Sequence, residues 1–444
     1  MESQGLKAED LRIDTLGEPI IPSPLGLNSV VGDGTANYVL DSQTVLYDVD
    51  RDSVQATVRE GTEPPAFQMA GPRPKIYFDG GTVRAAIVTC GGLCPGINNV
   101  IRTLVMELHY RYGVRSILGI RYGYRGFIPK LGYEPIPLTP DFVKDIHEKG
   151  GSILSSSRGA QDTAAIVDFL QKKGISLLFT IGGDGTLRGA WEIYREVKKR
   201  GLPISVIGIP KTIDNDIAFV ERTFGLETAF SVAAESIRSA HTEAIGAPFG
   251  VGIVKVMGRG SGFIAANAAL ALAEVNFVLI PEVPFGLEGP NGLYALVEDR
   301  LRKRDHAVII VAEGAGQEYV KDASGKKDES GNPALGDIGI FLKDSIKGYF
   351  KKTDLYVNIK YIDPSYMVRS CTANAHDAIY CIQLAQNAVH AGMAGKTGII
   401  IGQWNGHFTH VPITIATSRR KMLSPEDPLW LSVLEATGQP LRIG

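Results

Sequence analysis

From Val83 onward, short apolar runs recur along the chain, at 85–89, 116–120, 177–181, 205–209, 252–256, 277–280, 308–312 and 397–401. Glycines and then amphipathic stretches follow them. Runs this short read as buried strands, and the stretches between them as helices. Strand and helix in alternation mean an α/β architecture with mostly parallel sheets. Ligands of such sheets gather at the carboxyl ends of the strands, and the motifs below sit just after these runs.

The run at 175–180 leads into Ile181-Gly182-Gly183-Asp184-Gly185-Thr186, and a helix is expected over 188–199. Glycines at a strand-to-helix turn let the backbone approach a phosphate chain, and the helix N-terminus supplies N–H donors and positive potential. Asp184 is wrong for a bare anion. It is right where a divalent cation bridges it to the phosphates. The first run ends in Thr89-Cys90-Gly91-Gly92-Leu93-Cys94-Pro95-Gly96, a glycine-rich turn with no Gly-Lys-Ser/Thr of a Walker loop behind it. Arg158, set among Ser155-Ser156-Ser157 and Gly159, can present its fork of donors to a phosphate.

Pro210-Lys211-Thr212-Ile213-Asp214-Asn215-Asp216 follows the strand at 205–209. Two carboxylates so close together are costly to bury without partners. They suit metal-assisted phosphoryl transfer, in which one accepts the proton of an attacking hydroxyl. Met257-Gly258-Arg259-Gly260-Ser261-Gly262 follows another strand, and Arg259 reads as an anion binder. Glu313 follows the strand at 308–312 and can accept hydrogen bonds from sugar hydroxyls. Tyr366 and Arg369 stand three apart, which puts them on one face of a helical turn, where they could grip a second phosphate.

Composition narrows the remaining classes. A net charge of −2 over 444 residues gives no general attraction for nucleic acid or anionic membrane. No apolar run is long enough to cross a bilayer, and the first thirty residues do not resemble a signal or transit peptide. Four cysteines in so long a chain argue for a reducing compartment. Cys90 and Cys94 read as small apolar residues near a loop. His241, His376 and His407 read as structural, and Trp191, Trp404 and Trp430 as core or interface. Residues 1–82 are expected to form an N-terminal extension packed on the core or on another subunit, with 63–74 an extended linker and 322–333 a surface loop.

Gly-Gly-Asp-Gly-Thr, Pro-Lys-Thr-Ile-Asp-Asn-Asp, Met-Gly-Arg-Gly-Ser-Gly and the Glu313 strand end, in this order, resemble a 6-phosphofructokinase over roughly Val83 to Pro440. Thr-Cys-Gly-Gly-Leu-Cys-Pro-Gly-Ile-Asn and Lys-Tyr-Ile-Asp-Pro-Ser-Tyr-Met-Val-Arg are most similar to the ATP-dependent group of plants and trypanosomatids. The resemblance implies two similar Rossmann-like lobes with the active site in the cleft: an ATP-binding lobe over 83–226, completed by part of 366–420, and a sugar-phosphate lobe over 227–365, completed by part of 421–444. It implies transfer of the γ-phosphoryl of ATP to O1 of fructose 6-phosphate. Gly92, Arg158, Gly159, Gly183, Asp184, Gly185 and Thr186 would hold ATP, and Asp184 would bind Mg2+, with Asp216 assisting through water. Asp214 would be the general base, with Thr212 beside it and Arg259 also catalytic, and Thr212, Ile213 and Asp214 would contact the substrate. Met257, Gly258, Arg259, Glu313, Tyr366 and Arg369 would hold the sugar phosphate. A cytoplasmic homotetramer under allosteric control is also implied, or a plastid enzyme if a transit peptide was removed.

Two positions depart from the compact bacterial enzymes. Those have glycine in place of Lys211, whereas pyrophosphate-dependent relatives have lysine there and an aspartate in place of Gly185. Gly185 favours ATP, because a side chain there would intrude on the α-phosphate and ribose, while a lysine at 211 can swing aside. At Gly250 the bacterial enzymes carry an arginine that reaches the neighbouring subunit's sugar site, a contact this chain lacks. The competing readings are a pyrophosphate-dependent phosphotransferase and a non-catalytic regulatory subunit. A dinucleotide oxidoreductase is disfavoured because no strand leads into Gly-x-Gly-x-x-Gly with an acid suitably placed.

Overall fold

The computed structural model describes residues 6–30, 32–320 and 334–444. The expected surface loop at 322–333 lies outside them. The chain divides into two compact units. One comprises Met1–Thr212, Ile217–Phe224 and Thr372–Arg419; the other comprises Ile213–Asp216, Gly225–Cys371 and Arg420–Gly444.

The first unit is built on nine strands in the order Thr44–Leu46, Ala66–Met69, His407–Pro412, Ile399–Trp404, Ser205–Pro210, Leu177–Gly182, Arg84–Thr89, Ser116–Ile120, Ile136–Pro137. The five from Ile399–Trp404 to Ser116–Ile120 run parallel, and both flanks are antiparallel. Their runs of Val, Ile, Leu and Ala are buried on both faces, with Ala86, Val88, Leu178, Val206 and Ile400 in one core cluster. Arg84–Thr89 is the first strand of this parallel set in the chain. The next lies on one side of it and the one after on the other, so the connections diverge between Arg84–Thr89 and Leu177–Gly182. Crevices outside strand ends at such points are where these sheets bind ligands. Register aligns Thr89 with Ile181 and Gly182 with Pro210, which sets the turns at 90–92, 183–186 and 211–212 side by side.

The segment read as a linker at 63–74 is instead partly sheet. Ala66–Met69 pairs antiparallel with His407–Pro412 and with Thr44–Leu46. Phe67 is fully buried, and its ring packs on Trp404 and Phe219, with Tyr47 stacked on Trp404 at 5.3 Å. Asp41 ties the segment down further, accepting from Arg73 Nε at 2.7 Å and Lys396 Nζ at 2.8 Å. The prolines around the strand sit at its ends, where only their carbonyls are used, the Pro65 carbonyl accepting from Tyr47 N at 2.9 Å.

The second unit carries four parallel strands in the order Phe277–Leu279, His306–Ala312, Gly250–Val256, Asn358–Ile362. Val251, Ile253, Leu279, Ile309 and Val311 pack with Leu342 and Ile346 of the Ile338–Phe350 helix. Val256 aligns with Ala312 and Val254 with Ile362, so Met257, Glu313 and Asp363 leave the sheet at one edge. Gly250 lies against the end of the Leu226–Ile245 helix; a Cβ there would come 2.0 Å from the Ala244 carbonyl oxygen. The missing arginine is thus one case of a wider exclusion, since any side chain at this position must push the helix end away. Gly250→Ala is expected to destabilise the chain by about 3 kcal/mol, the upper range for overpacking. Denaturant unfolding checks this, and a wild-type midpoint would refute the contact.

Candidate functional site

The residues singled out from sequence gather at the strand ends of each unit. In the first unit the helix begins at Asp184, one turn before the expected 188, and runs to Lys199 with Gly183 as its N-cap. Asp184, Gly185 and Thr186 are therefore its first turn; Thr186 N donates back to the Gly183 carbonyl at 2.9 Å, while N–H groups this early in a helix have no i−4 carbonyl to meet. The turn is tight because Thr186 packs beneath it. A Cβ on Gly182 would come 2.2 Å from Thr186 Oγ1, and the Thr186 carbonyl accepts from Tyr124 Oη at 2.7 Å. A Cβ on Gly185, by contrast, would meet nothing within 4 Å.

The glycine turn after Arg84–Thr89 is bound to the 152–158 loop. Gly91 N donates to the Ser157 carbonyl at 3.0 Å, Ser156 Oγ to the Gly91 carbonyl at 2.6 Å, and Thr89 Oγ1 to the Ser155 carbonyl at 2.7 Å. Arg158 is exposed, and its Nη2 would lie 3.6 Å from a Cβ on Gly92. Lys211 is not the freely swinging side chain expected. It is 5 % exposed, its Nζ donates to the Gly92 carbonyl at 2.7 Å, and its backbone N donates to the Gly182 carbonyl. It is a strut between the two glycine turns. Gly92, Arg158, Gly183, Asp184, Gly185 and Lys211 thus share one end of this unit's sheet, and Gly159 lies in the left-handed region at φ +91°.

Asp184 is paired with Arg188 one turn on, at 3.1 Å, and Arg188 also donates to the Thr417 carbonyl at 2.7 Å. The Arg188 side chain is 59 % exposed, so the pair is worth less than about 1 kcal/mol and yields readily to a stronger partner. Among the described residues, no three His, Cys, Asp or Glu side chains cluster as a metal cage. One carboxylate at a glycine-rich helix start fits a metal that takes its remaining ligands from substrate oxygens and water, as Mg2+ does.

The second unit assembles the acids. Ser261 Oγ donates to the Asp214 carbonyl at 2.6 Å and Lys421 N to the Asp216 carbonyl at 3.0 Å, which ties the Ile213–Asp216 segment to two neighbours. Burial pushes the Asp214 carboxyl up to about 7; the negative charges of Asp216 and Glu313 add to this, and a hydrogen bond from the Arg259 backbone and the charge of Arg369 act against it. Glu313 is raised too, chiefly by burial, with Arg369, Arg259 and Lys255 pulling it back. The backbones of 257–259 and 313–314 nearly touch: a Cβ on Gly314 would come 2.0 Å from the Arg259 carbonyl oxygen, and Gly258 takes φ +124°. Met257 is buried, and Arg369 Nε lies 3.1 Å from its sulfur. Tyr366 stands 85 % exposed on the short Ser365–Ser370 helix, the helix that carries Arg369. Thr212 belongs to the first unit, where its carbonyl accepts from Thr223 Oγ1, and Ile213 is buried.

Residues 84–392 match the family described as phosphofructokinase. The chain belongs to the phosphofructokinase family. This phosphofructokinase is 47 % identical over 440 residues to the "ATP-dependent 6-phosphofructokinase" of Borreliella burgdorferi, covering 98 % of both chains. It is 42 % identical over 433 residues to the protein of that name from Trypanosoma brucei brucei, covering 97 % of this chain and 87 % of the relative. Among solved structures, the pyrophosphate-dependent phosphofructokinase of Marinobacter aquaeolei matches with a TM-score of 0.66 at 20 % identity, over 82 % of this chain and 92 % of that one. At that identity the likeness speaks for the fold alone.

The structure also brings in residues that the motifs do not name. Lys255 joins the acid cluster from inside an apolar strand, where a single charge among Gly, Val and Ile was the available signal. Cys90, Cys94 and Cys381 are buried and Cys371 is partly so, and burial pushes Cys90 up to about 12, against the pull of Lys211 and Thr186.

Proposed function

We propose that the chain is an ATP-dependent 6-phosphofructokinase, moving the γ-phosphoryl of ATP to O1 of fructose 6-phosphate. One observation carries this reading: Asp214 is poised near neutrality among two other acids and two arginines, where a general base works best. The names of the relatives support the donor and acceptor. The nucleotide phosphates lie along Gly92, Arg158, Gly159 and Gly183–Thr186, against the N–H groups of the helix start. Bound Mg2+ supplies charge screening on the phosphates, and Asp184 is its protein ligand. Met257, Gly258, Arg259, Glu313, Tyr366 and Arg369 hold the sugar phosphate. Asp214 takes the proton from the O1 hydroxyl; O1 forms the bond to the γ-phosphorus, and the bond to the bridging oxygen of ADP breaks. Arg259 offsets charge on the transferring group. Positioning and charge do the work in such transfers.

Lys211 favours a second reading, with pyrophosphate as donor. The open space at Gly185 and the docked ammonium of Lys211 weigh against it. Initial rates with ATP and with pyrophosphate, each with and without Mg2+, decide between the two. ATP turnover that requires Mg2+ is expected, and turnover with pyrophosphate alone would overturn the proposal. We place the enzyme in glycolysis, as a cytoplasmic homotetramer under effector control; a plastid is the alternative, since one Arabidopsis thaliana relative at 46 % identity is named chloroplastic. Among the described residues no helix is long and apolar enough to cross a membrane.

Arg369→Ala is expected to raise the fructose 6-phosphate KM by about tenfold or more and leave that for ATP nearly unchanged, because a phosphate remote from the reacting bond contributes mainly uniform binding. A rise in the ATP constant at a fixed sugar constant would require the two phosphate sites to be reassigned.

A further inference from the structure

We propose that Lys255 is a positioning residue for the sugar-phosphate site: by bridging Asp337 and Asp363 it fixes the turn that starts the Ser365–Ser370 helix, and so the reach of Arg369. The inference rests on the reading of Arg369 given above.

Lys255 is the one charged residue of Gly250–Val256, a strand whose other positions are all buried. Its side chain is 12 % exposed, and its ammonium lies 2.8 Å from Asp337 Oδ2 and 2.9 Å from Asp363 Oδ2. An ammonium so enclosed is retained only where its partners compensate it. The two partners lead to different places. Asp337 caps the Ile338–Phe350 helix, accepting from Ile340 N at 3.0 Å, and takes a bond from Tyr361 Oη at 3.1 Å. That arm anchors the fold. Asp363 accepts from Ser365 N at 3.0 Å and also from Ser365 Oγ, so it holds the first residue of the helix that carries Arg369.

Lys255 bears on Arg369 from a second direction as well. It stands two residues before Met257, whose sulfur seats the Arg369 guanidinium. Its charge also reaches Glu313. One side chain therefore joins the end of the central strand, the turn before Arg369 and the sugar-hydroxyl acceptor. Arg369 rides on a helix of only six residues, so where that helix starts helps set where its guanidinium can reach.

Steady-state kinetics and thermal melting of the full chain test this with Lys255→Met, Lys255→Arg, Asp363→Asn, Asp337→Asn and Arg369→Ala. Lys255→Met and Asp363→Asn are expected to raise the fructose 6-phosphate KM about tenfold with the ATP constant within about twofold, the signature of lost ground-state positioning. Lys255→Arg should restore most of the loss. Asp337→Asn should lower the melting temperature and leave the sugar constant within about twofold, and Lys255→Met should add under about twofold to Arg369→Ala, because residues acting through one contact are not additive. An unchanged sugar constant in Asp363→Asn while Arg369→Ala raises it would overturn the proposal, whether or not Lys255→Met folds. An equal rise in Asp337→Asn would do the same, since it would reduce Lys255 to a general support. An unchanged constant in Arg369→Ala would remove the sugar-site reading beneath it.

Discussion

Gly185→Asp is expected to abolish turnover with ATP in a chain that folds at least as well as wild type. Gly185 is the second residue of the Asp184–Lys199 helix, and a Cβ there meets nothing within 4 Å. Replacing glycine removes backbone freedom from the unfolded chain, and a carboxylate in the first turn interacts favourably with the helix dipole; each effect is worth about 0.5–1 kcal/mol. The variant should therefore melt no lower than wild type, so lost activity cannot be ascribed to unfolding. Two unit charges 4 Å apart repel by about 4 kcal/mol at an effective dielectric of 20. That is on the order of a thousandfold in kcat/KM for ATP. Pyrophosphate turnover is the readout of Lys211: a gain means that lysine serves the shorter donor once the nucleotide is blocked, though specificity needs attractive contacts as well as a block. Both donors are measured at saturating sugar phosphate and Mg2+, and an unaltered ATP constant would sink the claim that Gly185 makes room for the nucleotide.

Asp214→Asn is expected to lower kcat by about 10² or more with substrate constants near normal, the scale for a lost general base. A variant keeping a tenth of wild-type turnover would count against the assignment. The acidity of Asp214 gives two further readouts. In the wild type, kcat/KM should fall tenfold per pH unit below about 7, where burial and the neighbouring acids hold the proton on the free enzyme. Stability should move the other way. The folded value lies above the usual 3.8, so the native state binds this proton more tightly than the unfolded state; the stabilisation is complete below the unfolded value and lost as pH rises through the folded one. Above that range the ionised carboxylate burdens the fold. Asp214→Asn should therefore melt higher than wild type at pH 8, with the difference shrinking towards pH 5. Equal melting temperatures at pH 8 would mean the carboxylate is not held against its charge.

The strand ends were legible because their signals are local. Short Val- and Ile-rich runs stopping at glycine marked the parallel strands to within two residues in most cases, and Gly-Gly-Asp-Gly-Thr and Thr-Ile-Asp-Asn-Asp fell at their carboxyl ends. What escaped depends on partners distant in the chain. Ala66–Met69 has prolines before and after it and one buried aromatic, and only its partner at 407–412 makes it a strand. The start of the helix at Asp184 is set by Thr186 tucking under Gly182, a packing event that periodicity does not report. Lys211 reads as mobile until the Gly92 carbonyl is seen to hold its ammonium. Lys255 reads as one exception in a strand until Asp337 and Asp363 arrive from a hundred residues away.

The order of strands in the nine-stranded sheet has a consequence for synthesis. Ile399–Trp404 pairs with Ser205–Pro210, and His407–Pro412 pairs with Ala66–Met69. As the chain leaves the ribosome, the edge at 205–210 waits through nearly two hundred further residues for its partner, and Phe67 and Tyr47 through more than three hundred for Trp404. Closing such long loops is slow, and unpaired edges invite wrong partners meanwhile. The Gly225–Cys371 portion has all four of its strands within itself, so it can condense during that wait. A nascent chain halted before residue 399 should hold a protease-resistant core within 225–371 while the nine-stranded sheet is unfinished, and should lean on chaperones until its last tenth, with Arg420–Gly444 of the second unit, emerges.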